Sequence, residues 1–60
     1  MEKICYTPRE AASLLSVSRT KVYELLASGQ LGSILIGRSR RIPLDELRQF
    51  VDEQRQAVAA

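Results

Sequence analysis

Between residues 8 and 28, apolar side chains fall in two short runs at helical spacing, separated by an interruption at residues 16–18. The positions that would let two helices share a core are Ala12, Leu15, Val17, Val22 and Leu25. Ala12 is small enough for a close crossing, and Val17 is expected to fill the corner between the helices. The pattern therefore predicts a helix-turn-helix, with its helices at residues 8–15 and 19–28.

Residues with capping chemistry stand at the ends of both predicted helices. Thr7 is a hydroxyl N-cap, Pro8 suits the first helical position, and Glu10 completes a capping box. Ser18 provides the cap of the second helix. Gly29 follows the last periodic residue of that helix, where a left-handed C-cap is least costly.

A β-hairpin is predicted after the second helix. Residues 33–36 form an apolar strand, residues 37–40 turn the chain, and residues 41–43 return as a second strand in which Ile42 packs inward. The arginines at and beside the turn are Arg38, Arg40 and Arg41. They have few acidic neighbours in the sequence, so a phosphate backbone is the partner that would offset their mutual repulsion.

The last predicted helix runs from Pro43 to about Val58. Asp45 and Glu46 in its first turn complement the positive end of the helix dipole. Its apolar stripe consists of Leu44, Leu47, Phe50, Val51 and Val58. Leu44, Leu47 and Val51 are expected to cover the core.

Sixty residues are expected to make one small domain spanning residues 1–60. The predicted fold is mostly α with a small β-hairpin: a winged helix-turn-helix closed by a C-terminal helix. Residues 1–6 and 54–60 are the segments most prone to fray. Near the start, Ile4 or Tyr6 packs beside the first helix as a staple, or the two residues form a brief strand; both interpretations fit the sequence.

The composition argues against an enzyme. The chain has no His and a single cysteine, Cys5, and a lone Cys is more often a small buried hydrophobe than a nucleophile. No metal-ligand spacing or glycine-rich phosphate loop is present, so neither a metal nor a cofactor is predicted. No apolar run approaches the roughly 20 residues that span a bilayer. We therefore expect a cytoplasmic protein with no membrane partner.

The net charge of +2 is a weak indication of nucleic-acid binding, but the distribution of charge along the chain is a stronger one. Residues 1–41 hold seven basic and three acidic side chains, a net charge of +4, whereas residues 42–60 hold two basic and four acidic ones, a net charge of −2. A basic body with an acidic last segment suggests one face turned toward a polyanion.

The second helix is predicted to read double-stranded DNA. Its side opposite the apolar positions carries Thr20, Tyr23, Glu24 and Ala27, and Arg19 and Lys21 flank them at the N-terminal end. The candidate DNA-binding residues of this helix are Arg19, Thr20, Lys21 and Tyr23. Cationic donors, a methyl group and a helix N-terminus are suited to base edges and phosphates, although an ordinary solvated face has the same composition. The wing residues predicted to bind DNA are Arg38, Ser39, Arg40 and Arg41. Arg9 and Ser18 are candidates for further phosphate contacts, and for Arg9 a merely exposed position is the alternative.

Taken together, the segments TPREAASLLSVSRTKVYELLASGQL and ILIGRSRRIPLDELRQFV resemble the excisionase family, whose winged helix-turn-helix is related to the DNA-binding domain of MerR-type regulators. The resemblance implies that Arg19, Thr20, Lys21 and Tyr23 face the groove and that Arg38, Ser39 and Arg40 form the wing tip. It also implies a recombination directionality factor in a bacterial host, acting with an integrase partner. Such a protein binds and bends DNA beside a phage attachment site and promotes excision.

Two departures from the family pattern qualify these expectations. Ser16 stands where such turns usually carry Gly, a position that often needs positive φ. The chain also ends without the long dimerisation helix of full MerR-type regulators, which favours head-to-tail self-association on DNA. The alternatives are a small MerR-like transcriptional regulator and, in a different class, a protein-interaction adaptor that uses the last helix.

Overall fold

The computed structural model describes residues 3–59 and confirms a winged helix-turn-helix that is mostly helical. The elements in chain order are β1 (Cys5–Tyr6), α1 (Pro8–Leu15), α2 (Arg19–Ser28), β2 (Ile34–Ile36), β3 (Ser39–Pro43) and α3 (Leu44–Ala59). The bounds of α1 and α2 are those predicted. Of the segments expected to fray, residues 1, 2 and 60 lie outside the described part of the chain.

A complete capping box starts α1. The Thr7 hydroxyl accepts a hydrogen bond from the Glu10 backbone N–H at 3.1 Å, and the Thr7 N–H donates to the Glu10 carboxylate at 3.0 Å. The Lys3 ammonium pairs with the same carboxylate. This hydrogen bond from Lys3, together with the one from the Thr7 backbone, lowers the pKa of Glu10 to about 2.

The turn between α1 and α2 contains a residue in the left-handed region. Ser16 has φ 57° and ψ 42°. Its N–H donates to the Ser13 carbonyl at 3.2 Å, and the Val17 N–H donates to the Ala12 carbonyl at 3.0 Å, which is the hydrogen-bond pattern of a Schellman motif. The positive φ expected at this position is confirmed, so Ser16 carries a strain that Gly would not.

The corner between the helices is not filled by Val17. This side chain is 39% exposed, because the αL turn at Ser16 directs the chain away from the core. The prediction that Val17 plugs the corner is therefore wrong. The core instead consists of Ala11, Ala12, Val22, Leu25, Leu31, Ile42 and Leu47.

Leu31, which follows α2 and lies between two glycines, is a core residue. Ser18 caps the start of α2 by accepting from the Lys21 N–H at 3.1 Å, and Gly29 ends the helix with φ 81°. The Leu31 N–H then donates to the Leu25 carbonyl at 3.2 Å. This bond folds Leu31 back against the helix, where it is 2% exposed.

Three antiparallel strands form the sheet in the order β1-β3-β2, so β3 is central. Ile36 pairs with Ser39, which leaves a turn of only two residues, Gly37 and Arg38. Gly37 has φ 64°, as the first central residue of a type II′ turn requires. The prediction that residues 37–40 form the turn is wrong, because Ser39 and Arg40 are already paired in β3.

At the N-terminus, Tyr6 of β1 pairs with Ile42 of β3. Of the two interpretations of this segment, the brief strand is therefore correct, with Cys5 rather than Ile4 as its other member.

The C-terminal helix α3 closes the domain from one side. It begins at Leu44 rather than at Pro43, which is the last residue of β3. Leu47 is buried and Phe50 packs against the core, whereas Leu44 and Val51 are half-buried. Val58 is 87% exposed and covers nothing. Within residues 3–59, no helix has the length and apolar character needed to cross a membrane.

Candidate DNA-binding surface

The β2-β3 hairpin has two faces that carry different side chains, because neighbouring residues of a strand point to opposite sides and paired residues point to the same side. We call the side that contains Ile42, which packs into the core beside α2, the inner face. The pair Leu35 and Arg40 shares this inner face. The opposite side, the outer face, carries Ile34, Ile36, Ser39 and Arg41.

Arg40 connects the inner face of the wing to the exposed side of α2. Its side chain lines a shallow pocket together with Tyr23, Leu26 and Ala27. Tyr23 and Ala27 lie on the side of α2 that faces away from the buried Val22. Arg40 of the wing and the polar side of α2 therefore belong to one continuous surface.

A cross-strand hydrogen bond fixes the direction of the Arg40 side chain. One guanidinium nitrogen, Nη1, donates to the Ser33 hydroxyl at 2.6 Å. Ser33 lies just before β2 and two residues farther from the turn than Leu35, so the bond runs diagonally across the inner face. This contact directs the guanidinium along the wing toward α2.

The four residues of α2 predicted to read DNA are all exposed: Arg19, Thr20, Lys21 and Tyr23. Tyr23 is 55% exposed although it is aromatic. The same side of α2 also carries one carboxylate, Glu24, whose Oε2 lies 3.9 Å from the Lys21 ammonium. An exposed ion pair at this distance contributes little, so both side chains remain available to an external partner.

The other predicted wing residues do not share the position of Arg40. Arg38 is exposed in the two-residue turn, at the tip. Ser39 and Arg41 lie on the outer face, and Arg41 donates from Nη1 to the Arg40 carbonyl at 2.8 Å. Arg41 therefore lies on the face opposite to the one that Arg40 shares with α2.

The two candidates for additional phosphate contacts are exposed near the starts of the helices. Arg9 lies in the first turn of α1. Ser18 uses its hydroxyl oxygen as the acceptor of the α2 cap, which leaves the hydroxyl proton free to donate. The N-terminus of α2 also presents backbone N–H groups that favour an anion.

Three residues of this surface were not predicted from the sequence: Ser33, Leu26 and Leu35. A two-residue turn at Gly37 would have indicated Leu35 and Ser33, because the turn length fixes the register and therefore which residues share the face of Arg40. No cluster of three or more His, Cys, Asp or Glu side chains that could hold a metal occurs in the described part of the chain.

Comparison with known proteins gives a consistent result. A family model described as "Helix-turn-helix domain" matches residues 5–55. A protein of Saccharopolyspora erythraea named "Probable excisionase" is 51% identical over 41 residues, which cover 68% of this chain and 42% of that protein. An "Excisionase" of Streptomyces ambofaciens is 42% identical over 48 residues, which cover 80% of this chain and 77% of the relative.

A different name occurs among the other relatives. A candidate antitoxin of Mycobacterium tuberculosis, VapB50, is 41% identical over 49 residues, which cover 82% of this chain and 38% of that protein. No solved structure matches the chain. The family model covers most of the described residues, and the Streptomyces relative aligns over most of its own length. The chain therefore belongs to the excisionase family of DNA-binding helix-turn-helix proteins.

Proposed function

We propose that this protein binds specific sites in double-stranded DNA with α2 in the major groove and the inner face of the wing on the adjacent backbone. In this proposal Arg19, Thr20, Lys21 and Tyr23 contact the DNA from α2, and Arg38 and Arg40 contact it from the wing. Arg9 and Ser18 add phosphate contacts. Ser39 and Arg41 contribute less, because they lie on the outer face.

One observation supports this proposal above the others: Arg40 shares a pocket with Tyr23 and Ala27 of α2. A guanidinium group beside the exposed side of a helix provides a positive charge at the edge of the groove that the helix would occupy. Phosphate contacts of this kind set the register and orientation of a protein on the duplex, while the helix reads the base edges. The Ser33 hydroxyl, which accepts from Arg40, keeps that charge in position before DNA arrives.

The biological role proposed is that of a recombination directionality factor. A domain of this size buries only about 600–1,000 Å² on DNA, so one protomer is expected to bind with modest affinity. Several protomers bound head to tail, or an integrase bound next to them, would raise occupancy through linked binding. The assembled complex bends attachment-site DNA and assists the integrase in prophage excision.

The direct test is binding to duplex DNA over a range of salt concentrations. With four to six phosphate contacts, the logarithm of the binding constant should fall against the logarithm of salt concentration with a slope of about −4 to −5. Arg40→Ala should weaken binding to all sequences and reduce the slope by about 1. Arg41→Ala removes the same charge from the outer face and is the matched control.

Measurements on the parent protein and the two arginine variants also show which results would refute the proposed docking. If the parent protein showed a slope near zero, DNA binding through this surface would be refuted. If Arg41→Ala weakened binding as much as Arg40→Ala, the net charge of the wing, rather than its inner face, would determine affinity. In that case the proposed docking geometry would be wrong.

A small transcriptional regulator of the same fold is the closest rival, because both proteins would dock on DNA in the same way. An integrase-dependent excision assay, performed with and without the protein, separates the two. Footprinting adds a second criterion: adjacent, periodic sites favour the recombination role, and one isolated operator favours gene control.

A protein-interaction adaptor of the antitoxin type is the second candidate from another class. The similarity to the candidate antitoxin VapB50 supports it, as does the far end of α3, where Val58 is exposed. If this were the main function, truncation after residue 53 would abolish partner binding while the domain remained folded. Retention of duplex binding by the same truncated protein would still support the DNA-binding proposal.

A further inference from the structure

The β2 strand presents three neighbouring apolar side chains to solvent. Ile34, Leu35 and Ile36 are 45%, 61% and 58% exposed. Exposed apolar groups that lie next to one another commonly mark a contact surface. The register divides them, because Leu35 pairs with Arg40 on the inner face and the two isoleucines lie on the outer face.

The position of Leu35 relative to α2 determines what it can reach. Arg40 lines a pocket with Tyr23 and Ala27 of α2, so its cross-strand partner Leu35 shares a face with a residue that lies beside the polar side of α2. With α2 in the major groove, which is about 12 Å wide, an inner-face side chain of the wing that passes the phosphates bordering this groove reaches the neighbouring minor groove.

We propose that Leu35 is a DNA-contacting residue that enters this minor groove while Arg40, its cross-strand partner, binds the phosphates at the groove edge. The inference rests on the proposed docking of α2 and adds a specific residue and groove to it. An apolar side chain in the minor groove packs against deoxyribose and base edges, and it pushes adjacent base pairs apart. Pyrimidine–purine steps unstack most easily, so these steps are favoured under the wing, and Leu35 contributes to the bend.

The matched pair Leu35→Ala and Ile36→Ala tests this role. The two side chains are adjacent and almost equally exposed, yet they lie on opposite faces of the wing. On a duplex that the parent protein selects from a random-sequence pool, Leu35→Ala should bind about fivefold to twentyfold more weakly. Ile36→Ala should bind like the parent, and Leu35→Met should retain most of the affinity. Circular dichroism melts establish that all three variants are folded.

A second measurement identifies the groove. Guanine carries an amino group in the minor groove, whereas inosine lacks it and keeps the major-groove groups of guanine. Base pairs under the wing, located by footprinting, are replaced by G·C or I·C. The parent should bind the I·C duplex several-fold more tightly, because the guanine amino group obstructs Leu35, and the Leu35→Ala variant should lose this preference.

The outcomes separate this inference from the function on which it rests. If the parent binds duplex DNA and Arg40→Ala weakens it, while Leu35→Ala and Ile36→Ala behave alike, the role of Leu35 is refuted and the DNA-binding proposal stands. An equal I·C preference in the parent and in Leu35→Ala also refutes it. If the parent binds no duplex at all, the proposed function itself fails.

Discussion

The two faces of the wing differ in what their side chains contact, although both belong to the same two strands. The inner face begins with Ile42 in the core and continues outward to Arg40, which lies beside α2, and to its partner Leu35. The outer face carries a similar mixture of isoleucine, serine and arginine, and nothing in the described chain covers Ile36. A shift of one residue along β3, from Arg40 to Arg41, therefore separates an arginine that lies beside α2 from one on the opposite face.

The largest expected difference between the faces concerns stability. Ile42→Ala removes a fully buried side chain from the inner face and should lower the free energy of unfolding by about 2–5 kcal/mol, which rivals the total stability of a small domain. Ile34→Ala removes the same atoms from the outer face and should cost less than about 1 kcal/mol. Urea denaturation of both variants measures the difference. Equal losses would contradict the assignment of the faces.

Moving one arginine from the inner to the outer face tests whether the face determines DNA affinity, and it leaves the amino-acid composition unchanged. The double variant Ser39→Arg/Arg40→Ser keeps the net charge but moves the guanidinium from the inner to the outer face, and it also removes the hydrogen bond to Ser33. We expect its affinity for duplex DNA to fall about fivefold to tenfold, or about 1–1.4 kcal/mol. Fluorescence anisotropy at low salt gives the value. Unchanged affinity would mean that charge alone, and not the face, matters.

The smallest expected effect is a change in stability that leaves DNA affinity unchanged. Ser16 belongs to neither face and has φ 57°, a conformation that Gly adopts without strain. Ser16→Gly should therefore raise the free energy of unfolding by about 0.5 kcal/mol, since the relief of strain exceeds the entropy that Gly adds to the unfolded chain. Thermal melts report the change, and duplex affinity should stay the same. A loss of stability would mean that the Ser16 side chain supports the turn.

Local chemistry explains which parts of this fold were predictable. The bounds of α1 and α2 follow from Thr7, Ser18 and Gly29, because caps act within one turn of the helix end. Leu31 was missed because it lies between two glycines that look like a simple break, and only its bond to Leu25 brings it into the core.

The candidate surface was less predictable than the helices. The predicted turn spanned residues 37–40, yet Gly37 needs only one further residue to close the hairpin. Because the predicted turn was two residues too long, it did not show that Arg40 and Arg41 lie on opposite faces of β3. The contact between Arg40 and Ser33 also depends on this register, so it could be predicted only from the correct turn length.

The central claim is that Arg40 and α2 contact the same duplex while the outer face does not. The most direct test is solution NMR of the labelled protein bound to a selected duplex, with intermolecular NOEs recorded from side-chain protons. The claim predicts NOEs to DNA from Tyr23, Leu35 and Arg40, and none from Ile36 or Arg41. NOEs from Ile36 and Arg41, with none from Arg40, would contradict it.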